Sequence, residues 1–346
     1  MKPILLKLKN KFNRDIISAG LDIGTSSVKL IKLKFSKESV ELCGFNFEPI
    51  RAESALADEL KAILHSQAIK RVNISVSGTA VMIRYADFPK MKEDELRQSL
   101  KFEAQKYFPF SIGDVNLDGR ILIPVLPDNK MLVLLAAVKK EFINQRLKLI
   151  QDAGIKSNIV DIDSIALINA FNFNYSKDSD SDSLKHKTIA LLNIGASLSN
   201  LNILEDGIPH LSRDIQIAGN NFTQKIQEAL GVDFRTAEEL KLKPVKEKLG
   251  EISSAGESVL SNIAGEIRTS FDYYESQSAS SVGKIFLSGG GSVFAGLKDA
   301  LTNLLGIEVE YWDPLRQINI SSNIDAKKAK ELSGQLAVAI GLALRK

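Results

Sequence analysis

The chain of 346 residues holds a single cysteine, one tryptophan and three histidines. One thiol, Cys43, excludes a disulfide framework and a multi-thiolate metal site, and it suits a reducing compartment. His65, His186 and His210 are too scattered for a histidine-based zinc centre. Long apolar runs are missing as well. The longest, residues 131–138 and 336–344, fall far short of the ~20 residues that span a bilayer. The opening MKPILLKLKNKFNRD has no apolar core segment and no small-residue cleavage site, so no secretory signal is expected. Charge of one sign is scarce too. A net charge of +3, without basic clusters interleaved with aromatics, leaves no nucleic-acid footprint. These absences lead us to expect a soluble, cytoplasmic protein that binds no nucleic acid.

What is present is an ordinary globular balance, 44% apolar and 25% charged. At roughly 150 residues per domain the length predicts about two domains. Residues 1–17 form a basic arm: Lys2, Lys7, Lys9, Lys11 and Arg14 precede the first acid, Asp15. Ile4, Leu5, Leu6, Leu8 and Phe12 are interspersed. Two readings stand, a weak interfacial segment attracted to anionic lipid or a short arm frayed or packed on its own domain. Its shortness favours the second.

Two segments half a chain apart resemble one another, GLDIGTSSVKLIKL (20–33) and LLNIGASLSNLNIL (191–204). Each is an apolar run, a tight Gly turn and a second alternating run. Further strand-like stretches follow at 40–49 and 208–217. One supersecondary unit is used once in each of two domains. Apolar spacing predicts helices over 55–67, over 221–230 with Gly231 as C-cap, and over 251–275 with a core stripe of Val259, Ile263, Ile267, Phe271 and Tyr274. Between the halves lies a strand–helix–strand–strand–helix–strand order. It comprises 72–88 extended, 92–108 helical with Glu93, Asp94 and Glu95 in the first turn, strands 115–126 and 131–138 around a PDN turn, helix 140–153 closed by Gly154, and strand 155–162. That order predicts a small inserted α+β module. The polar stretch 176–187 reads as a flexible loop. Its alternating Asp178, Asp180 and Asp182 lack the Gly and terminal Glu of a calcium loop.

The chemistry is carried by three glycine loops. In the first, Asp22-Ile23-Gly24-Thr25-Ser26-Ser27-Val28-Lys29, a tight turn aims successive amides at one spot, a nest that suits phosphate. Thr25 and Ser26 add hydroxyls, Lys29 can neutralise phosphate charge, and Asp22 can orient a Mg²⁺-bound water. The second, Asn193-Ile194-Gly195-Ala196-Ser197, has the same shape, so the pair can clamp the phosphates of one nucleotide. The third runs from an apolar strand into Gly289, Gly290 and Gly291 and then a helix-like segment over 292–305, which lets a flat ring or sugar approach the backbone. Glu238 and Lys241, one helical turn apart, can reach ribose or base. Each signal alone is equally a plain hairpin turn or loop. No GxxxxGK[ST] loop and no dinucleotide GxGxxG pattern occurs.

In this order the loops resemble the actin-like ATPase superfamily, which includes actin, sugar kinases, chaperone ATPases and FtsA. DIGTSSVK (22–29) resembles its phosphate-1 loop, NIGAS (193–197) phosphate-2 and LSGGGS (287–292) the adenosine motif. IVDIDSIALINAF (159–171) and QLAVAIGLALR (335–345) resemble the two connecting helices. Within the superfamily, DFPKMKEDELRQSLKFEAQKYFPF (87–110) is similar to the PilM family of type IV pilus machinery. The resemblance implies an α/β, actin-like (ribonuclease H-like) two-domain fold with an inserted α+β subdomain 1C. Its implied division is 18–82 with 156–187 and 327–346 as domain 1A, 83–155 as 1C, 188–230 with 280–326 as 2A, and 231–279 as 2B. It implies ATP and Mg²⁺ in the interdomain cleft, and a PilN-type N-terminal cytoplasmic tail in a groove between 1A and 1C. It also implies a link to the pilus motor ATPases and a peripheral place at the inner membrane through protein partners. A homo-oligomer or ring stays open.

One position departs from the superfamily pattern. Phosphate-2 loops usually begin with Asp, and here Asn193 stands there. An amide can accept a hydrogen bond from a metal-bound water but supplies no negative charge and no base. Asp163 either faces the γ-phosphate or merely caps its helix. The expectation is nucleotide binding with slow or absent hydrolysis, Asp22 and Asp163 being the catalytic candidates. The alternatives are an FtsA-like filament protein or a small-molecule kinase. The chain shows no amphipathic C-terminal helix after a linker for the first and no sugar-pocket cluster of Asp, Asn and Arg for the second.

Overall fold

The computed structural model describes residues 16–50, 53–175 and 187–345. The readings of the basic arm up to residue 15 and of the Asp178–Asp180–Asp182 segment lie outside the described residues. The first half opens with a meander, β1 (Ile16–Ile23), β2 (Ser27–Phe35) and β3 (Val40–Pro49). Helix α1 (Leu56–Ser66) and strand β4 (Arg71–Val76) follow. The chain then builds a separate module. It consists of β5 (Val81–Pro89), α2 (Glu93–Glu103), β6 (Val115–Leu126), β7 (Lys130–Lys139) and α3 (Lys140–Asp152). Strand β8 (Lys156–Ile162) and helix α4 (Asp163–Tyr175) return it to the first sheet.

The second half repeats the meander as β9 (Thr188–Ile194), β10 (Ser199–Glu205) and β11 (Ile208–Ile215). Helices α5 (Gly219–Leu230), α6 (Phe234–Leu242) and α7 (Leu249–Glu275) come next. They are followed by β12 (Val282–Ser288), α8 (Leu297–Leu305), β13 (Glu308–Tyr311), β14 (Asn319–Ile320), α9 (Ala326–Glu331) and α10 (Ala337–Ala343).

Three sheets result, ordered β14-β3-β2-β1-β4-β8, β11-β10-β9-β12-β13 and β5-β7-β6. The half-chain repeat extends beyond the hairpins. In both large sheets an antiparallel meander is continued by parallel strands, β4 beside β1 and β12 beside β9. Equivalent positions carry equivalent pairs, Asp22 opposite Lys29 and Asn193 opposite Asn200.

The central core lies between the two large sheets. Ile31, Leu33 and Leu42 from one sheet and Ile189, Leu191 and Leu204 from the other pack with α4 and α10 in a single cluster. Helix α10 is buried along its whole length, because it is made of small and aliphatic residues with no charged face. Two glycines allow that fit. A Cβ on Gly20 of β1 would run into the Ala339 carbonyl, and one on Gly341 into the Ala166 carbonyl of α4. Asn73 on β4 donates through Nδ2 to the carbonyls of Leu342 (2.9 Å) and Arg345 (2.8 Å), satisfying the helix end, and Ser18 Oγ donates to Arg345 O at 2.8 Å. The module has its own core, in which Leu96, Leu100 and Phe108 pack on Met131, Val133 and Leu135. The stripe on α7 is buried as its spacing predicts. Among the described residues no helix is long and apolar enough to cross a membrane.

Three local expectations need correction. The run 72–88 is two strands in two different sheets, because Gly78 takes a left-handed φ of 84° and turns the chain out of the first sheet. The helix expected over 92–108 stops at Glu103 and tightens into a 3-10 turn, Ala104–Lys106, ahead of Pro109. The segment 292–305 is not one helix either. A 3-10 turn, Gly290–Val293, precedes Gly296 at φ 78°, and only then does α8 begin.

The close approach of α10 to α4 is testable. Gly341→Ala forces backbone apart and should cost about 3 kcal/mol, read from the midpoint of urea unfolding. An unchanged midpoint would contradict the packing described.

Candidate functional site

The two hairpin turns meet. Thr25 Oγ1 lies 2.8 Å from Ser197 Oγ, joining loops 172 positions apart in the chain. Each turn is closed by its glycine, whose N–H is consumed there. Gly24 N–H donates to Ser27 O (3.1 Å) and Gly195 N–H to Leu198 O (2.9 Å). The two glycine amides are therefore occupied within their own turns. Among the described residues, the amides of Thr25, Ser26, Ala196 and Ser197 meet no acceptor, so these next positions carry the outward donors. Neither glycine has a left-handed φ. Gly195 is needed for space, since a Cβ there would sit 2.7 Å from Leu198 O, whereas one on Gly24 would be merely tight at 3.1 Å from Ser27 O.

Below the first turn Lys29 Nζ pairs with Asp22 Oδ2 at 3.1 Å, directly across the ladder, so lysine and carboxylate neutralise one another. Below the second turn the equivalent pair is neutral. Asn193 Nδ2 donates to Asn200 Oδ1 (3.3 Å), and Asn193 Oδ1 accepts from Ser288 Oγ (3.1 Å). Both ends of the Asn193 amide are engaged inside the sheet.

The third loop presses on the second turn. Gly289 has φ 92°, and any Cβ there would overlap the Ile194 carbonyl; its N–H donates to Gly334 O at 2.9 Å. A Cβ on Gly291 would lie 2.7 Å from Gly195 O and 3.0 Å from Gly219 N. Gly290 faces Gln335, its added Cβ 3.3 Å from Oε1. The start of α5 completes the floor. Gly219 N–H donates to Gly195 O (2.9 Å) and Asn220 N–H to Ala196 O (2.7 Å). Glu238 and Lys241 reach this floor from α6, with their charges matched internally. Buried Lys241 Nζ contacts Glu238 Oε2 (2.6 Å) and donates to Thr223 Oγ1 (2.8 Å) and Gly219 O (3.1 Å). Burial lowers the Lys241 pKa, opposed by Glu238.

Asp163 begins α4 at the base of the cleft. Its side chain is held by the hydroxyls of Ser75 and Ser77, at and just beyond the end of β4. Burial, then the Asp22 carboxylate and more weakly Asp214, push its pKa up to about 6, against those two hydroxyls. Among the described residues no three His, Cys, Asp or Glu side chains are arranged to ligate a metal ion directly. Asp214, Asn200, Gly219 and Gly78 escaped the sequence reading. Their one signal was the repetition of Asn at 193, 200 and 202 in strands otherwise apolar on that face.

Facing glycine hairpins over a pair of buried connecting helices, with a third glycine loop against the second hairpin, define the actin-like ATPase fold. The fold is shared with the ethanolamine utilization protein EutJ of Carboxydothermus hydrogenoformans, at TM-score 0.56 and 11% identity over 97% of this chain and 92% of that one. It is shared with MreB 5 of Spiroplasma citri bound to AMPPNP, at 0.51 and 12% over 95% of each. The PilM-PilN type IV pilus biogenesis complex matches at 0.83 with 28% identity, over 95% of this chain and 98% of that one. The family described as type IV pilus assembly protein PilM matches residues 20–346, and the chain belongs to it.

The raised Asp163 pKa makes a signed prediction. Folding lifts this acid from an ordinary 3.8 to about 6, so the native state holds the extra proton and stability falls as pH climbs between those values. Asp163→Asn removes that loss. The variant should melt higher than wild type at pH 7, with the gain fading near pH 4. A gain equal at both pH values would remove burial of the charge as its cause.

Proposed function

We propose that this pilus assembly protein binds ATP with Mg²⁺ between its two glycine turns and acts as an adaptor and not as a metabolic enzyme. The observation that carries this is the Thr25–Ser197 contact, which brings two sets of unpaired turn amides to one place. Such paired nests suit a polyphosphate. Thr25, Ser26, Ala196 and Ser197 would supply the donors, while Gly24, Gly195, Gly289, Gly290 and Gly291 clear the space. Lys29 and Asp22 would lie beneath the phosphates, Asp22 holding Mg²⁺ through water. Glu238 and Lys241 would close the side nearest the sugar. A nucleotide also suits the site because MreB 5, which shares the fold, has been solved bound to AMPPNP.

Hydrolysis would be slow or absent. Asn193 can supply no charge, and both ends of its amide are already bonded. Asp163, next to the Asp22 carboxylate, has a pKa shifted up toward that of a base.

The partner we infer is the N-terminal cytoplasmic tail of a PilN-type membrane protein, since the structure matching at 28% identity is a PilM-PilN complex. The tail would lie between the first sheet and the three-stranded module. There β8 is an edge strand, and Asp161 pairs with Arg345 Nε (3.3 Å) within the field of Asp118 and Arg120 on β6. A peptide strand can add to such an edge. The adaptor would sit at the inner membrane through this partner and pass its state toward the pilus motor ATPases.

Calorimetry with Mg–ATP tests the site. Wild type should bind, and Thr25→Glu, which sets a carboxylate against the phosphates, should weaken binding at least ~10-fold. Equal affinity would remove the turns as the site. A phosphate-release assay should show little turnover, and robust turnover abolished by Asp22→Ala would refute the adaptor reading.

A further inference from the structure

Strand β11 touches the first half of the chain at two points on one face. Asp214 Oδ2 accepts the Gly78 N–H at 2.8 Å, and Ser212 Oγ lies 2.7 Å from the Tyr85 hydroxyl on β5. Gly78 is a pivot. Its left-handed φ ends the path of β4, and its carbonyl accepts the N–H of Val81, where β5 begins. The same strand therefore holds both the root and the first strand of the three-stranded module. Behind the contacts each residue is anchored within its own sheet. Asn200 Nδ2 donates to Asp214 Oδ1 (2.7 Å), and Ser212 Oγ contacts Asn202 Oδ1 (2.6 Å).

The Asp214 bond continues as a relay with a forced direction. An ionised carboxylate only accepts, so Asn200 must present Nδ2 to Asp214. Its Oδ1 then faces Asn193, which must present Nδ2 in turn. The Asn193 oxygen is left for the Ser288 hydroxyl, beside the third glycine loop. An aspartate at 193 would set acceptor against acceptor and break the chain at its second bond. Asn193 is thereby explained by what it joins, in addition to what it no longer supplies. Burial raises the Asp214 pKa, opposed by its bonds from Asn200 and Gly78, as expected of a carboxylate whose only compensation is this relay.

We propose that β11 is a two-point latch, through Asp214–Gly78 and Ser212–Tyr85, that couples the second glycine turn to the position of the three-stranded module. It rests on the reading that nucleotide occupies the turns. Filling the second turn would shift Asn193, and the relay would pass that shift to Gly78 and β5. Tyr85 and Ser212 are positioning residues, remote from the turns.

Hydrogen exchange on the full chain tests it, with Mg–AMPPNP as the probe and calorimetry alongside. In wild type, saturating Mg–AMPPNP should change exchange across residues 78–89 by about fivefold or more, the low end of ordinary coupling between sites. Tyr85→Phe keeps the ring and loses only the hydroxyl. It should bind Mg–AMPPNP as wild type does, with the response at 78–89 lost or sharply reduced, and Ser212→Ala should behave alike. A wild-type response that survives undiminished in both variants, or no response despite measured binding, overturns the latch alone. Failure of wild type to bind Mg–AMPPNP would instead overturn the nucleotide reading, and the coupling with it.

Discussion

The second glycine turn is held by backbone packed on backbone, and the rest of the site depends on that constraint. The Ile194 carbonyl leaves no room for a side chain at 289, and the Gly195 carbonyl leaves none at 219 or 291. Two separate segments, the third glycine loop and the start of α5, therefore reach the turn bare, each at a glycine. Because Gly195 O accepts the first amide of α5 and the Gly195 amide closes its own turn, this loop has almost no freedom of its own. A rigid turn presents its remaining donors without a further ordering cost, which is how a preorganised anion nest gains over flexible chain. The first turn lacks this scaffold. It is fixed by the Ile50 amide on Ser26 O and by the Asp22–Lys29 pair beneath it.

The two hairpins solve one electrostatic problem differently. At matching ladder positions the first has an ion pair and the second an amide pair. A charge at 193 would be buried against Asn200 and Ser288 with no lysine opposite, and an unpaired buried carboxylate is costly. The Asp22 and Asp214 carboxylates already raise the pKa of Asp163. The neutral pair limits the negative charge gathered where a polyphosphate is proposed to lie.

Much of this was legible in the chain because it is local. A glycine between two alternating apolar runs is a hairpin wherever it occurs, and the repetition of that unit at 22–29 and 193–200 disclosed the two sheets and their facing turns. The α7 stripe and the Gly231 cap follow from spacing and from one residue's conformational freedom. Other features depend on contacts between distant residues, and no local pattern marks them. Asp214 acts on Gly78, and Gly219 is a glycine because of Gly195 and Gly291. The break at Gly78 was hidden inside an apolar stretch that reads as one strand from either side. The glycines of the two turns were singled out from the sequence, whereas the use of their own amides in closing the turns was not. They clear space, and their neighbours hold the outward amides.

Helix α10 lies against β1, and its last carbonyls are held by Ser18 and Asn73. On the ribosome, the sheet begun by residue 16 stays only partly covered on that face until residues 337–345 have emerged. The first half, although translated early, matures late, and nascent chains stalled before α10 would present the β1–β4 face as a site for chaperones. The order of synthesis and the order of consolidation thus run in opposite directions along this polypeptide.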